Sequence, residues 1–104
     1  MLENGRGAAV GSGPGADLAE AVGRMRRELI TYRPMLPDRA VAEVELDALA
    51  RAAGAVDRAP GSVDSERLRH SLLLVVAAIG SVSALTEALD ALREAVERIA
   101  PPRP

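Results

Sequence analysis

An all-α fold, arranged as an up-down four-helix bundle, is predicted by three features of this 104-residue sequence. Four segments repeat large aliphatic residues at spacings of three and four, which draws a single apolar stripe along a helix. No segment alternates apolar and polar residues with the period of two that a half-buried strand needs. Proline, glycine and capping residues fall between the four segments, where helices stop and start. The expected helices run over roughly 17–33, 38–54, 64–80 and 83–100, inside a bundle over 16–100. A Gly-rich tail over 1–15, expected to be disordered, precedes it and a Pro-rich tail over 101–104 follows.

The first segment opens at Asp17, a good N-cap residue. Its stripe is Leu18, Val22, Met25, Leu29 and Tyr32. Arg33 precedes Pro34, and a residue before proline avoids the α region, so the helix should stop there. The second segment starts from Asp38, with Leu36 as a candidate staple, and carries Ala42, Leu46, Leu49, Ala53 and Val56. Gly54 is its expected C-terminal stop. The third follows Ala59-Pro60-Gly61-Ser62, with Asp64 as cap, Glu66 suiting the helix dipole, and Leu68, Leu72, Val75, Ile79 and Val82 as stripe. The fourth carries Leu85, Leu89, Leu92, Val96 and Ile99.

Between the third and fourth, the apolar rhythm takes two successive steps of three, at 79, 82 and 85. A continuous helix would rotate its stripe away from the core at that point. A tight turn, with Ser81 or Ser83 capping the fourth helix, accommodates the break; the competing arrangement is one kinked helix. Leu72 to Ile79 would also suit a buried strand, but a lone strand has nothing to pair with. Helices of about 16 residues are marginal alone, so tertiary packing must hold them, and short connections make neighbours antiparallel.

Composition limits what such a bundle can do. The chain has no Cys, Phe or Trp and a single Tyr, so Leu, Val, Ile and Ala must do the packing. A chain of this size buries only about 60% of the surface its unfolded form exposes. Self-association or a protein partner would add what the small core lacks. The longest uninterrupted apolar run, Leu72 to Ile79, is eight residues, short of the roughly 18 a membrane span needs. The N-terminal residues contain no apolar signal-peptide core, and the expected compartment is the cytoplasm. A net charge of −2 argues against general affinity for nucleic acid or membrane surfaces. All thirteen basic residues are Arg and Ala is abundant, a bias suggesting a GC-rich bacterial source.

Two helices carry more apolar surface than one stripe requires. On the third, Leu73 and Leu74 lie about 100° and 200° around the axis from Leu72. On the second, Val41, Val44, Ala48, Ala52 and Ala55 form a second row of small residues. Extra apolar faces on a small protein mark contacts, and symmetric dimers are the commonest oligomers. Val41, Val44, Ala48, Ala52, Leu73 and Leu74 are therefore the candidate interface of a homodimer, the competing account being two helices more deeply buried within one subunit. The fourth helix is different: Glu87, Asp90, Glu94 and Glu97 lie opposite its leucines as a solvated face.

The sequence offers little chemistry. His70, the only histidine, has Glu66 four residues before it, but zinc wants three or four ligands and Arg67 and Arg69 would repel a cation. Neither the phosphate-loop pattern nor the Gly-x-Ser-x-Gly nucleophile elbow is present around Gly80, Ser81 and Ser83. No catalytic, metal or cofactor residue is assigned, and no cofactor is expected. Arg24, Arg26, Arg27 and Arg33 form a candidate anion or nucleic-acid patch, diluted by Glu20 and Glu28 and lacking aromatic rings for base stacking.

The run Leu-Arg-His-Ser-Leu-Leu-Leu-Val-Val-Ala-Ala-Ile-Gly-Ser-Val-Ser-Ala-Leu, with the amphipathic helix after it, resembles an uncharacterised family of small actinobacterial proteins, notably from streptomycetes. The likeness covers about 62–99, with a looser match through the first two helices, and is most distinctive over Gly80-Ser81-Val82-Ser83-Ala84-Leu85. It implies no activity and no site residues. The function expected is a non-catalytic helical interaction module that self-associates, as an adaptor or regulatory subunit. The alternative is a ligand-sensing or nucleic-acid-binding regulator using the Arg-rich first helix. The two part on one measurement: the alternative predicts a salt-dependent mobility shift on DNA, and the interaction module predicts none at low salt.

Overall fold

A computed structural model describes residues 13–101. Four α-helices account for most of them: α1 (Pro14–Thr31), α2 (Arg39–Arg58), α3 (Ser65–Ile79) and α4 (Thr86–Ile99). Short 3₁₀ turns at Pro60–Ser62 and Ser83–Leu85 lead into α3 and α4. There is no strand among the described residues.

α1 starts ahead of Asp17. Gly13 occupies the N-cap position and Pro14 the first turn, where a fixed φ and a missing N–H cost nothing. The Asp17 N–H already bonds the Gly13 carbonyl at 2.9 Å, and the Asp17 carboxylate instead accepts from Arg98 on α4 at 3.0 Å. Of the tail expected over 1–15, residues 1–12 lie outside the described residues, as do 102–104 of the C-terminal one. Gly13 to Gly15 belong to the bundle.

α1 ends at Thr31, with Tyr32 extended ahead of Pro34. Its last carbonyls meet a side chain the sequence reading did not assign. The Arg39 guanidinium, at the start of α2, donates to the Leu29 carbonyl at 2.7 Å and the Tyr32 carbonyl at 2.9 Å. A helix C-terminus leaves carbonyls unsatisfied and carries partial negative charge, so a cation there is favourable. Leu36, the expected staple, packs against the core. Asp38 occupies the N-cap position of α2 without a side-chain cap bond.

Gly54 does not stop α2. The helix continues to Arg58 because Ala53 and Val56, on either side of the glycine, are both buried and hold the last turn in place. Asp64 caps α3 as expected, accepting from the N–H groups of Glu66 at 3.0 Å and Arg67 at 3.3 Å. α3 and α4 are separate helices. Gly80 closes α3 through its N–H to the Val76 carbonyl at 2.7 Å, and Val82 then turns extended (φ −90°, ψ 108°). Neither Ser81 nor Ser83 caps α4: the N-cap position belongs to Leu85, and no side chain bonds the first turn.

Contacts between helix ends fix the topology. Arg39 ties the start of α2 to the end of α1. Gly15, near the start of α1, lies against Ala53 and Asp57 near the end of α2. Arg69, early on α3, donates to the Pro101 carbonyl after α4 at 3.2 Å. Arg98, late on α4, reaches Asp17, early on α1. Each adjacent pair is antiparallel, so the helices run up, down, up, down around a closed ring. The α1–α2 seam is the most extensive and the α3–α4 seam the least.

The core is aliphatic throughout, with Leu18, Met25, Leu46, Leu49, Val75, Ile79, Leu92 and Val96 fully enclosed. Alanines at 21, 42, 53, 88 and 95 are buried between them and let the axes approach. On α3 the buried face is Leu68, Ser71, Val75 and Ile79; Leu72 is displaced toward α4 and only half-buried.

The α1–α2 approach is close enough to test. A Cβ on Gly15 would stand 2.6 Å from the Ala53 carbonyl oxygen, a backbone atom that cannot swing aside. Gly15→Ala should therefore destabilise by about 1–3 kcal/mol, despite alanine's higher helix propensity. Gly23→Ala should instead stabilise by about 0.5–1 kcal/mol, because its Cβ would meet only the mobile end of Arg27 at 3.4 Å. Thermal melts followed by circular dichroism decide it; a higher melting temperature for Gly15→Ala would disprove the close approach. By the same assay, Arg39→Ala should cost about 1–3 kcal/mol, and Arg39→Lys should recover only part because one ammonium replaces a two-pronged donor.

Candidate interaction surfaces

Among the described residues five large apolar side chains remain exposed: Ile30 at 80%, Met35 at 90%, Val41 at 42%, Val44 at 61% and Leu73 at 62%. Single exposed aliphatics are ordinary on a protein surface; the grouping of these carries the information. Four of them fall within residues 30–44, on the last turn of α1, the α1–α2 connection and the first turns of α2. Ile30 lines a shallow groove of about 280 Å³ between α1 and α2, with Leu29, Arg26, Glu43 and Asp47.

The six candidate interface residues, expected on the second faces of the second and third helices, fall on different surfaces of the structure. Val41 and Val44 are exposed on α2. Ala48 and Ala52 are half-buried and line a groove of about 250 Å³ between α2 and α3, together with Leu68 and Ser71. Leu74 is half-buried. Leu73 lies on the opposite flank of α3, in a groove of about 270 Å³ shared with α4. The separation follows from the helix turn: Leu73 and Leu74 are about 100° apart, enough to place them on different sides of the outer surface. Ile30 and Met35 were missed. Ile30 stands one position off the α1 stripe, which is a usable signal; Met35 sits in a Pro-Met-Leu-Pro connection, where periodicity says nothing.

The α3–α4 groove is the most apolar of these hollows. Leu72, Val76, Val96 and Ala100 form its floor, Leu73 stands on one wall, and Arg69, Arg93 and Glu97 form the rim. Arg69 is held by Glu66 at 3.0 Å and by the Pro101 carbonyl; Arg93 is paired with Asp90 at 3.2 Å. Glu97 is exposed and has no ion pair among the described residues.

The four arginines of the candidate anion patch do not gather. Arg24 faces α4 and pairs with Glu87 at 3.5 Å, while Arg26 faces α2 and pairs with Asp47. Arg27 lines the α1–α4 groove, where Asp17, Glu20 and Glu94 alternate with Arg24 and Arg98. Arg33 is exposed beyond the end of α1. His70 is exposed, and Glu66 is bonded to Arg69. Among the described residues no group of three or more His, Asp or Glu side chains could hold a metal ion. No described helix is long and apolar enough to cross a membrane.

These features define a class: a small antiparallel four-helix bundle with an aliphatic core, several arginines paired to neighbouring elements, and apolar side chains exposed at one end and along one seam. Within it, the chain belongs to a family of unknown function, DUF5955, whose profile matches residues 8–100. No curated protein and no solved structure gives a match. The match covers the expected 62–99 and also the first two helices, where the expected likeness was looser.

Proposed function

We propose that this protein is a non-catalytic helical interaction module that self-associates and serves as an adaptor or regulatory subunit, working in the cytoplasm of an actinobacterial cell. The observation that carries the reading is the set of exposed aliphatics, Ile30, Met35, Val41, Val44 and Leu73, on a bundle whose own core is small. Burying one such side chain contributes about 1.5–3 kcal/mol, a large share of the stability of a domain this size. An adaptor needs two separate surfaces, and two are available: the 30–44 end and the α3–α4 groove. The arginine-only basic set and abundant alanine favour the source named.

Light scattering coupled to size exclusion checks the reading. The full chain, 10.9 kDa as a monomer, should show a concentration-dependent mass rising to a defined multiple. A constant mass of 10.9 kDa from micromolar to near-millimolar concentration would refute self-association.

A further inference from the structure

The α3–α4 groove carries both halves of a contact. It holds a projecting apolar side chain, Leu73, beside an apolar hollow of about 270 Å³ floored by Leu72, Val76 and Val96. It also holds both signs of charge on one rim, Arg93 and Glu97, one helical turn apart on α4. A two-fold contact joins a patch to its own copy, so residue i meets j while j meets i. A patch suits that symmetry only when knob and hollow, and cation and anion, lie side by side on it.

We infer that the α3–α4 groove seats a second copy of this chain through an isologous two-fold contact, in which each Leu73 enters the partner's hollow and each Arg93 meets the partner's Glu97. The inference rests on the self-association proposed above and names the surface responsible.

When two α4 helices meet antiparallel, the axis passes between them level with the midpoint of 93 and 97. Arg93 of each copy then faces the partner's Glu97, giving two equivalent pairs. Because α3 runs antiparallel to α4, with Arg69 bonded beside Pro101, Leu73 stands at the height of these same α4 turns. The apolar contact therefore lies close to the axis, where both copies contribute to it. Glu97 has no ion pair among the described residues of its own subunit, so the contact supplies one, and Arg93 can add the intermolecular pair to its existing bond with Asp90. The α3–α4 seam suits this seat because it is the least closed of the four within the subunit.

The test uses two charge reversals that leave the core untouched. In Arg93→Glu homodimers, acid faces acid at both pairs; in Glu97→Arg homodimers, base faces base. Each variant should dimerise on the order of 100-fold more weakly than the wild type, with circular dichroism and melting temperature checking that each remains folded. Mixed in equal amounts, the two variants should form a heterodimer of near wild-type affinity, because both of its pairs are restored. Native mass spectrometry separates the three species. Two variants that dimerise as the wild type does would overturn this seat and leave self-association standing at another surface. Loss of dimers without rescue on mixing would overturn it as well. A wild type that remains monomeric would overturn both proposals.

Discussion

Every helix in this molecule must be held by aliphatic packing at short range. No aromatic side chain is available to bridge a wide gap between axes, since the chain has no Phe or Trp and its single Tyr lies outside the last turn of α1. Leucine, valine and methionine can fill the interior only if the backbones come close, and the small residues bring that about. Ala42 and Ala53 are buried on α2, Ala88 and Ala95 on α4, and Gly15 meets the Ala53 carbonyl without a Cβ between them. Dispersion contacts weaken steeply with separation, so a fraction of an ångström at such positions matters more here than in a core padded by rings.

Close approach at some seams leaves less for others. α1 packs extensively against both α2 and α4, and α2 also against α3. The fourth seam, α3–α4, is left comparatively open, and Leu72 consequently lies half-buried at its margin while Ser71 takes the buried position. That one rotation of α3 explains a departure from the sequence reading, a serine where a leucine was expected inside, and it leaves Leu73 facing outward beside the hollow.

How much was legible follows from what periodicity encodes. The stripes Leu18–Leu29, Leu46–Val56 and Leu85–Val96 could be read directly, because one buried face per helix repeats every three or four residues whatever the neighbours are. Which flank of a helix meets which neighbour is not encoded that way. Val41, Val44, Ala48, Ala52, Leu73 and Leu74 share an off-stripe position, yet the ring of helices distributes them over different surfaces. Local signals misled where packing overrode them. Gly54 was outweighed by buried Ala53 and Val56, and Asp17 by Pro14, whose geometry starts the helix a turn earlier. Asp64 remained legible because its cap bonds are made within its own turn.

The arginines show why composition alone gave a weak account of the surface. Arg39 binds two carbonyls at the end of α1, Arg69 joins α3 to the carbonyl of Pro101, and Arg98, Arg26 and Arg24 each reach an acidic side chain on a neighbouring helix. Arg39 and Arg69 each serve two acceptors at once, which the fixed fork of a guanidinium allows and a lysine ammonium does less well. The exposed pairs contribute little stability individually, but they link elements distant in sequence and so favour one ordering of the four helices over its alternatives. A cationic face needs arginines free to turn the same way. Here the first helix directs Arg24 toward α4 and Arg26 toward α2, so its basic charge is divided between two seams and the surfaces left for contact are distinguished by their aliphatic side chains.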